Sequence, residues 1–136
     1  MLAIVDASAI YAAADRDDRY HRPCVTVLQR RDLELVIPAL VVAEVCYMIS
    51  GRRGALAEAA FLRTLEEMDV EAPVPEDWRR IAELVEGYAD FPLGGTDASV
   101  VTLAERLDTD VIITLDRRRF GAVRPRHREA FHLLPD

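Results

Sequence analysis

Short apolar runs alternate along the chain with longer segments of helical periodicity. "MLAIV" (1–5), "LELVI" (33–37) and "VIITL" (111–115) have the length and composition of buried strands, "AFHLL" (130–134) reads as a terminal strand, and a further short strand fits within "DVEAPVP" (69–75). Between them the apolar spacing predicts helices. "ASAIYAAA" (7–14) follows the first strand; "DRDDRYH" (15–21) is a polar loop; Pro23 is expected to open "PCVTVLQRR" (23–31). Pro38 starts the helix "PALVVAEVCYMIS" (38–50), which Gly51 is expected to end. "GALAEAAFLRTLEEM" (54–68) and "EDWRRIAELVEGYA" (76–89) are amphipathic, "DFPLGG" (90–95) is a loop, and "TDASVVTLAERL" (96–107) is a helix.

Strands alternating with helices predict a three-layer α/β/α sandwich with a central, mainly parallel sheet. A chain of 136 residues without repeats, linkers or low-complexity segments predicts one domain over 1–136. Ligands of such sheets bind outside the carboxyl ends of the strands. Polar residues at those ends therefore carry most of the functional signal.

Glu44 is the one charged side chain in the run from Pro38 to Ser50. A buried lone carboxylate needs a compensating partner or is driven towards its neutral form. Asp6 stands where the first strand stops, and Asp116 where "VIITL" stops. Asp97 is the second residue of its helix, with Thr96 as the expected N-cap, and helical spacing sets it under Val100, Val101 and Ala104 on the buried stripe. Each acid has a structural explanation on its own: capping for the three aspartates, an arginine-paired core acid for Glu44. Jointly they suggest convergence on one site, where four uncompensated carboxylates would repel one another and a divalent cation would relieve them. Oxygen-only ligands suit Mg2+ or Mn2+. Such an ion orients water and stabilises in-line displacement at phosphorus. Ser8 and Thr114, each two residues from one of these acids, are candidates to assist, and Asp90 is an extra acid near Asp97.

Composition narrows the partners. With 51% hydrophobic and 30% charged residues the chain is ordinary globular protein, no apolar run is long enough to span a membrane, and no leader precedes "LAIVD", so a cytoplasmic protein is expected. Cys24 and Cys46 read as reduced, hydrophobically embedded thiols. His21, His127 and His132 read as surface or edge residues. A net charge of −7 opposes general polyanion binding, yet "RRRFGAVRPRHR" (117–128) holds six arginines and no acid, a local surface for a phosphate-bearing partner or a solvated loop. All 17 basic residues are arginine.

The motifs "IVDASA", "P…VVAEV", "GGTDASVVTLAERL" and "IITLDRRRF", in this order and over nearly the whole chain, resemble the PIN domain, most closely the VapC toxins of toxin–antitoxin pairs. The resemblance implies a Mg2+- or Mn2+-dependent endoribonuclease with Asp6, Glu44, Asp97 and Asp116 as metal ligands and Thr114, with Ser8, assisting. It implies structured RNA, such as transfer or ribosomal RNA, as substrate, a VapB-like antitoxin covering the site, and a homodimer. Arg117, Arg118, Arg119 and Arg124 are the candidate RNA contacts. The missing lysine disfavours a response-regulator receiver and a P-loop nucleotidase, and Ser8 stands where a haloacid-dehalogenase-type phosphatase would want an acid. A non-catalytic PIN-like binding module is the alternative. The surplus apolar residues around Phe61, Leu62, Leu65, Trp78, Ile81 and Leu84 suit a core, a dimer or an antitoxin groove.

Overall fold

The computed structural model describes residues 1–136. Its elements in chain order are β1 (Leu2–Val5), α1 (Ala7–Ala14), α2 (His21–Leu28), β2 (Glu34–Pro38), α3 (Ala39–Arg53), α4 (Ala55–Thr64), a 3-10 turn (Leu65–Glu67), β3 (Asp69–Glu71), α5 (Pro75–Gly87), α6 (Gly95–Arg106), β4 (Val111–Ile113), α7 (Arg117–Ala122) and β5 (His132–Leu134). All five strands join one sheet in the order β3-β2-β1-β4-β5, and every pairing is parallel. The short strand within 69–75 exists and forms one edge.

The central strands are apolar on both faces because helices cover both. Ala3, Ile4, Val5, Val36, Ile37 and Val111 to Ile113 are all buried. The chain steps from β1 to β2 to β3 in one direction and then crosses back from β3 to β4, and right-handed crossovers that run in opposite directions lie on opposite faces of the sheet, which gives the three layers. On one side α1 packs on α2 and α3, and α3 on α4; on the other α5 packs on α6. Ion pairs tie that last couple together. Arg80 grips Glu105 through two bonds of 2.9 Å, and Arg106 reaches Asp77 at 3.0 Å. These bonds fix α6, whose opposite end carries Asp97.

Three local expectations are corrected. Helix α2 begins at His21, two residues before Pro23. Helix α6 begins at Gly95 with Gly94 as its N-cap, so Thr96 lies inside the first turn rather than capping it. Helix α3 runs through Gly51 to Arg53 and stops at Gly54, whose φ of 86° and ψ of 178° suit glycine alone. A Cβ at either glycine would meet nothing, so only the backbone distinguishes them. Gly51→Ala should therefore stabilise the protein by about 0.5–1 kcal/mol. Gly54→Ala should destabilise it by about 1–3 kcal/mol. Urea unfolding of the two variants reads both signs, and a loss of stability in Gly51→Ala would contradict the helical assignment.

Candidate functional site

The sheet order reverses at β1 and β4: β2 and β3 extend one way from β1, β4 and β5 the other. A crevice forms above the carboxyl ends at such a switch point. Asp6 follows β1 immediately, Asp116 lies just past β4, Asp97 sits in the first turn of α6 and Glu44 on α3. The four carboxylates line one cavity of about 140 Å³, together with Ala7, Ser8, Met48 and Arg119.

Asp6 is the anchored member, only 4% exposed. Its side chain does not cap α1. Its Oδ2 accepts hydrogen bonds from the Ser8 and Thr114 hydroxyls, both at 2.8 Å, which leaves Oδ1 open to the cavity. Those hydroxyls in turn accept from the chain after β4: Ser8 Oγ from the Leu115 amide at 3.0 Å, Thr114 Oγ1 from the Asp116 amide at 3.0 Å. One small network thus sets the Asp6 carboxylate and the backbone of Asp116 together. Thr114, fully buried and outside the cavity lining, is a positioning residue, whereas Ser8 reaches the cavity wall.

Asp116 does both things the sequence allowed. Its Oδ1 caps α7 by accepting from the Arg119 amide at 2.9 Å, while the side chain stays at the cavity wall. Asp97 points inward as its spacing predicts, with its side chain 13% exposed. Burial, then the charge of Asp6, raise its pKa, opposed by Arg119.

Glu44 departs from expectation. Helix α3 buries the stripe Val41, Val45 and Ile49, and Glu44 lies off that stripe as an exposed residue at the cavity edge. Surrounding apolar residues do not make it a core acid. Partial desolvation of its carboxylate, then the charges of Asp6 and Asp97, still raise its pKa, and Arg119 lowers it. What waits for Glu44 is a set of like charges and one guanidinium.

That guanidinium is the feature that sequence patterning misses. Arg119 donates from Nη1 to Asp97 Oδ2 at 2.9 Å and stands 3.6 Å through Nε from Asp116 Oδ2. It is the counter-charge of the acid cluster. The available signal is its spacing, three residues after Asp116 on a helix, but the arginine run hides it and gives α7 itself the look of a loop. No three of the acids close on a common point to form a ready-made coordination shell. Asp90 is exposed and outside the cavity lining.

The other basic residues divide by partner. Arg126 pairs with Glu83 and Arg128 with Asp108, so both tie the chain end to the body. Arg117, Arg118 and Arg124 are exposed; Arg117 bonds the Pro135 carbonyl at 2.8 Å and Arg124 the Glu129 carbonyl at 3.3 Å, leaving all three without a carboxylate partner. None of the histidines lines the cavity: His21 Nδ1 donates to the Ala12 carbonyl at 2.9 Å and His127 Nε2 to that of Thr109 at 2.7 Å. Both cysteines are free, and burial pushes the Cys24 thiol up to about 11, which makes it a poor nucleophile.

A family model for the PIN domain matches residues 3–124. The chain belongs to the PIN-domain family. This PIN domain is 34% identical over 134 residues to ribonuclease VapC26 of Mycobacterium tuberculosis, covering 97% of the chain and 99% of that relative, which places it with the VapC proteins. Two solved structures share the architecture. VapC20 of M. tuberculosis, a toxin cleaving the sarcin–ricin loop, has a TM-score of 0.76 at 15% identity over 81% of this chain and 86% of that one. VapBC2 of Rickettsia felis, bound to a promoter DNA fragment, has a TM-score of 0.72 at 14% identity over 99% of this chain and 100% of that one. At those identities the likeness is one of fold. No helix of this PIN domain is long and apolar enough to cross a membrane.

Proposed function

We propose that this PIN domain is a Mg2+- or Mn2+-dependent endoribonuclease, the toxin of a VapBC-type pair acting in the cytoplasm. The observation that carries the reading is four carboxylates around one cavity at the switch point, balanced by a single arginine. The donor set fits a hard divalent cation: it is all oxygen, and the cavity already draws a positive group into it. Asp6, Glu44, Asp97 and Asp116 would hold the ion. Bound there, it supplies the charge that polarises the phosphodiester and makes water a usable nucleophile near neutral pH.

The chain's own residues do the rest. Ser8 and Thr114 keep Asp6 Oδ2 occupied, so that Oδ1 presents a fixed lone pair to the cavity. Arg119, which lines the same cavity, would donate to a phosphate oxygen there. Arg117 and Arg124 hold the RNA backbone, and Arg118 meets the RNA beside them. No side-chain nucleophile is required. The ribonuclease name of VapC26 supports the nuclease class, and the toxin–antitoxin complexes among the structural neighbours support a VapB-like partner. Tyr47, Leu56, Leu62 and Trp78 are exposed apolar side chains suited to a homodimer or antitoxin contact, whereas Phe61, Ile81 and Leu84 belong to the core. The non-catalytic module is disfavoured because every one of the four acids reaches the cavity.

Purified, partner-free protein should make discrete cuts in transfer or ribosomal RNA in Mg2+ or Mn2+ and none in chelator. Intact RNA under all these conditions would sink the reading. Two further outcomes follow. Replacing Arg117 and Arg124 by Gln should shallow the dependence of log affinity on log salt by roughly 0.7 for each phosphate no longer neutralised, at fixed free Mg2+. An unchanged slope would remove them from the RNA surface. The second outcome concerns pH. The raised pKa of Asp97 means the folded, metal-free protein holds that proton more tightly than the unfolded chain. Its stabilising contribution is full below the unfolded value and is lost as pH rises through the raised folded value. Asp97→Asn carries no such loss, so its stability relative to wild type should climb from about pH 4 upwards and level off once pH passes the raised folded value, read by denaturant midpoints. A flat difference would place Asp97 in a more solvated setting. Metal affinity of the wild type should fall over the same window as pH drops.

A further inference from the structure

A second cavity, of about 170 Å³, opens beside the acidic one and is lined by Phe91, Pro92, Asp116, Arg118 and Arg119. Asp116 and Arg119 line both cavities, so an occupant of the second lies one side chain away from the phosphate-cutting position. Phe91 is held in place from both sides. Its amide donates to the Tyr88 carbonyl at 3.0 Å, and Leu93, two residues on, is 2% exposed and anchored in the core. Pro92 between them stiffens the turn. The ring is therefore presented at the cavity wall by a braced loop, although it is only partly buried itself.

Arg118 meets it from α7. The guanidinium carbon lies 5.6 Å from the centre of the Phe91 ring. Of the three consecutive arginines, Arg119 is engaged by the acids and Arg117 by a carbonyl at the chain end, whereas Arg118 has no carboxylate partner. An aromatic ring and an uncommitted guanidinium are the two surfaces on which proteins stack bases of unpaired RNA. A base held in a helix cannot reach them, because both of its faces are covered by its neighbours. Two guanidinium groups and one carboxylate line the cleft, so charge alone does not choose between a phosphate and a base, and the aromatic wall is what favours the base.

Resting on the ribonuclease reading, we propose that Phe91 and Arg118 form a subsite for a single unstacked nucleobase next to the scissile phosphate. Stacking is tolerant of base identity because every base has a π face, so the subsite selects for an unpaired nucleotide more than for a sequence. It also positions the RNA. A base fixed in this cleft sets the register of the neighbouring phosphate over the acids, so removing the subsite weakens binding and slows cutting together.

The test is made on the Asp97→Asn protein in Mg2+, so that binding is read without cleavage. The probes are a fluorescein-labelled single-stranded RNA octamer and the same octamer with its bases replaced by abasic ribose at the central positions. Removing the bases should weaken binding by roughly tenfold. In the Asp97→Asn, Phe91→Ala protein, and equally with Phe91→Leu, both octamers should bind alike and weakly, while Phe91→Trp restores the preference. The leucine variant keeps apolar volume without a π face, so it separates stacking from a merely structural tie between the turn and α7; thermal unfolding confirms that each variant is folded. A base-removal penalty that is the same in the Phe91→Leu and Phe91→Ala proteins as with Phe91 intact overturns the subsite alone, leaving the nuclease reading to stand on wild-type cleavage. Binding of neither octamer, with no cleavage by the wild type, overturns both.

Discussion

Replacing Asp97 by Asn should lower RNA cleavage by about a thousandfold or more while leaving the fold intact, since losing a metal's several kcal/mol of transition-state stabilisation costs about tenfold per 1.4 kcal/mol. Asparagine keeps the size of the side chain and an oxygen that can still accept from Arg119, so the 2.9 Å hydrogen bond survives in weaker form. What it loses is the charge that a divalent cation requires. Stability should not suffer, because the native carboxylate is held against burial and the charge of Asp6. A folded variant with near-wild-type cleavage, measured by initial rates on one defined RNA, would remove Asp97 from the site.

The second large effect concerns Arg119. Its guanidinium bonds Asp97 and faces Asp116, so any cation entering the cavity competes with it. Arg119→Ala should bind Mn2+ on the order of tenfold more tightly than wild type, about 1.4 kcal/mol, because the ion no longer has to displace an internal charge. The same variant should be less stable without metal, since its acids are left uncompensated, and should gain more in thermal midpoint when Mn2+ is added. Arg119→Lys, a point charge in place of a fork, should fall between the two. Calorimetry reads the affinity directly, and an unchanged or weaker Mn2+ affinity in Arg119→Ala would show that the arginine helps to build the metal site instead of competing for it. These results do not depend on the RNA substrate.

Much of this is legible in the residue pattern, and the exceptions share a cause. "MLAIV" and "VIITL" read as strands because burial on both faces demands unbroken apolar runs, and the acids that end them have nowhere to go but the carboxyl edge of the sheet. Helical spacing alone puts Asp97 on the correct face. It does not do so for Glu44. A helix with apolar residues on nearly every side gives no clear phase, so the buried stripe Val41, Val45 and Ile49 cannot be told from its flank, which ends in an exposed Tyr47. Gly51 looks like a stop because propensity is a weak local signal, whereas the true stop at Gly54 depends on a backbone angle that composition does not reveal. Helix α7 is hidden by its charges. Six residues beginning with three arginines look like a solvated loop until Asp116 caps them from one side and Phe120 is buried beneath them. Arg119 escapes notice for the same reason: which of three adjacent arginines turns inward is decided by a tertiary bond to Asp97, 22 residues away.

The most direct test of the central claim is a paired Mn2+ titration of the partner-free wild-type protein, following heat of binding and RNA cleavage rate in the same buffer. Saturable binding is expected, with a cleavage rate that rises with the same midpoint, and both should be lost in Asp97→Asn. Cleavage that proceeds in chelator, or Mn2+ binding that survives unchanged in Asp97→Asn, would contradict the carboxylate metal site.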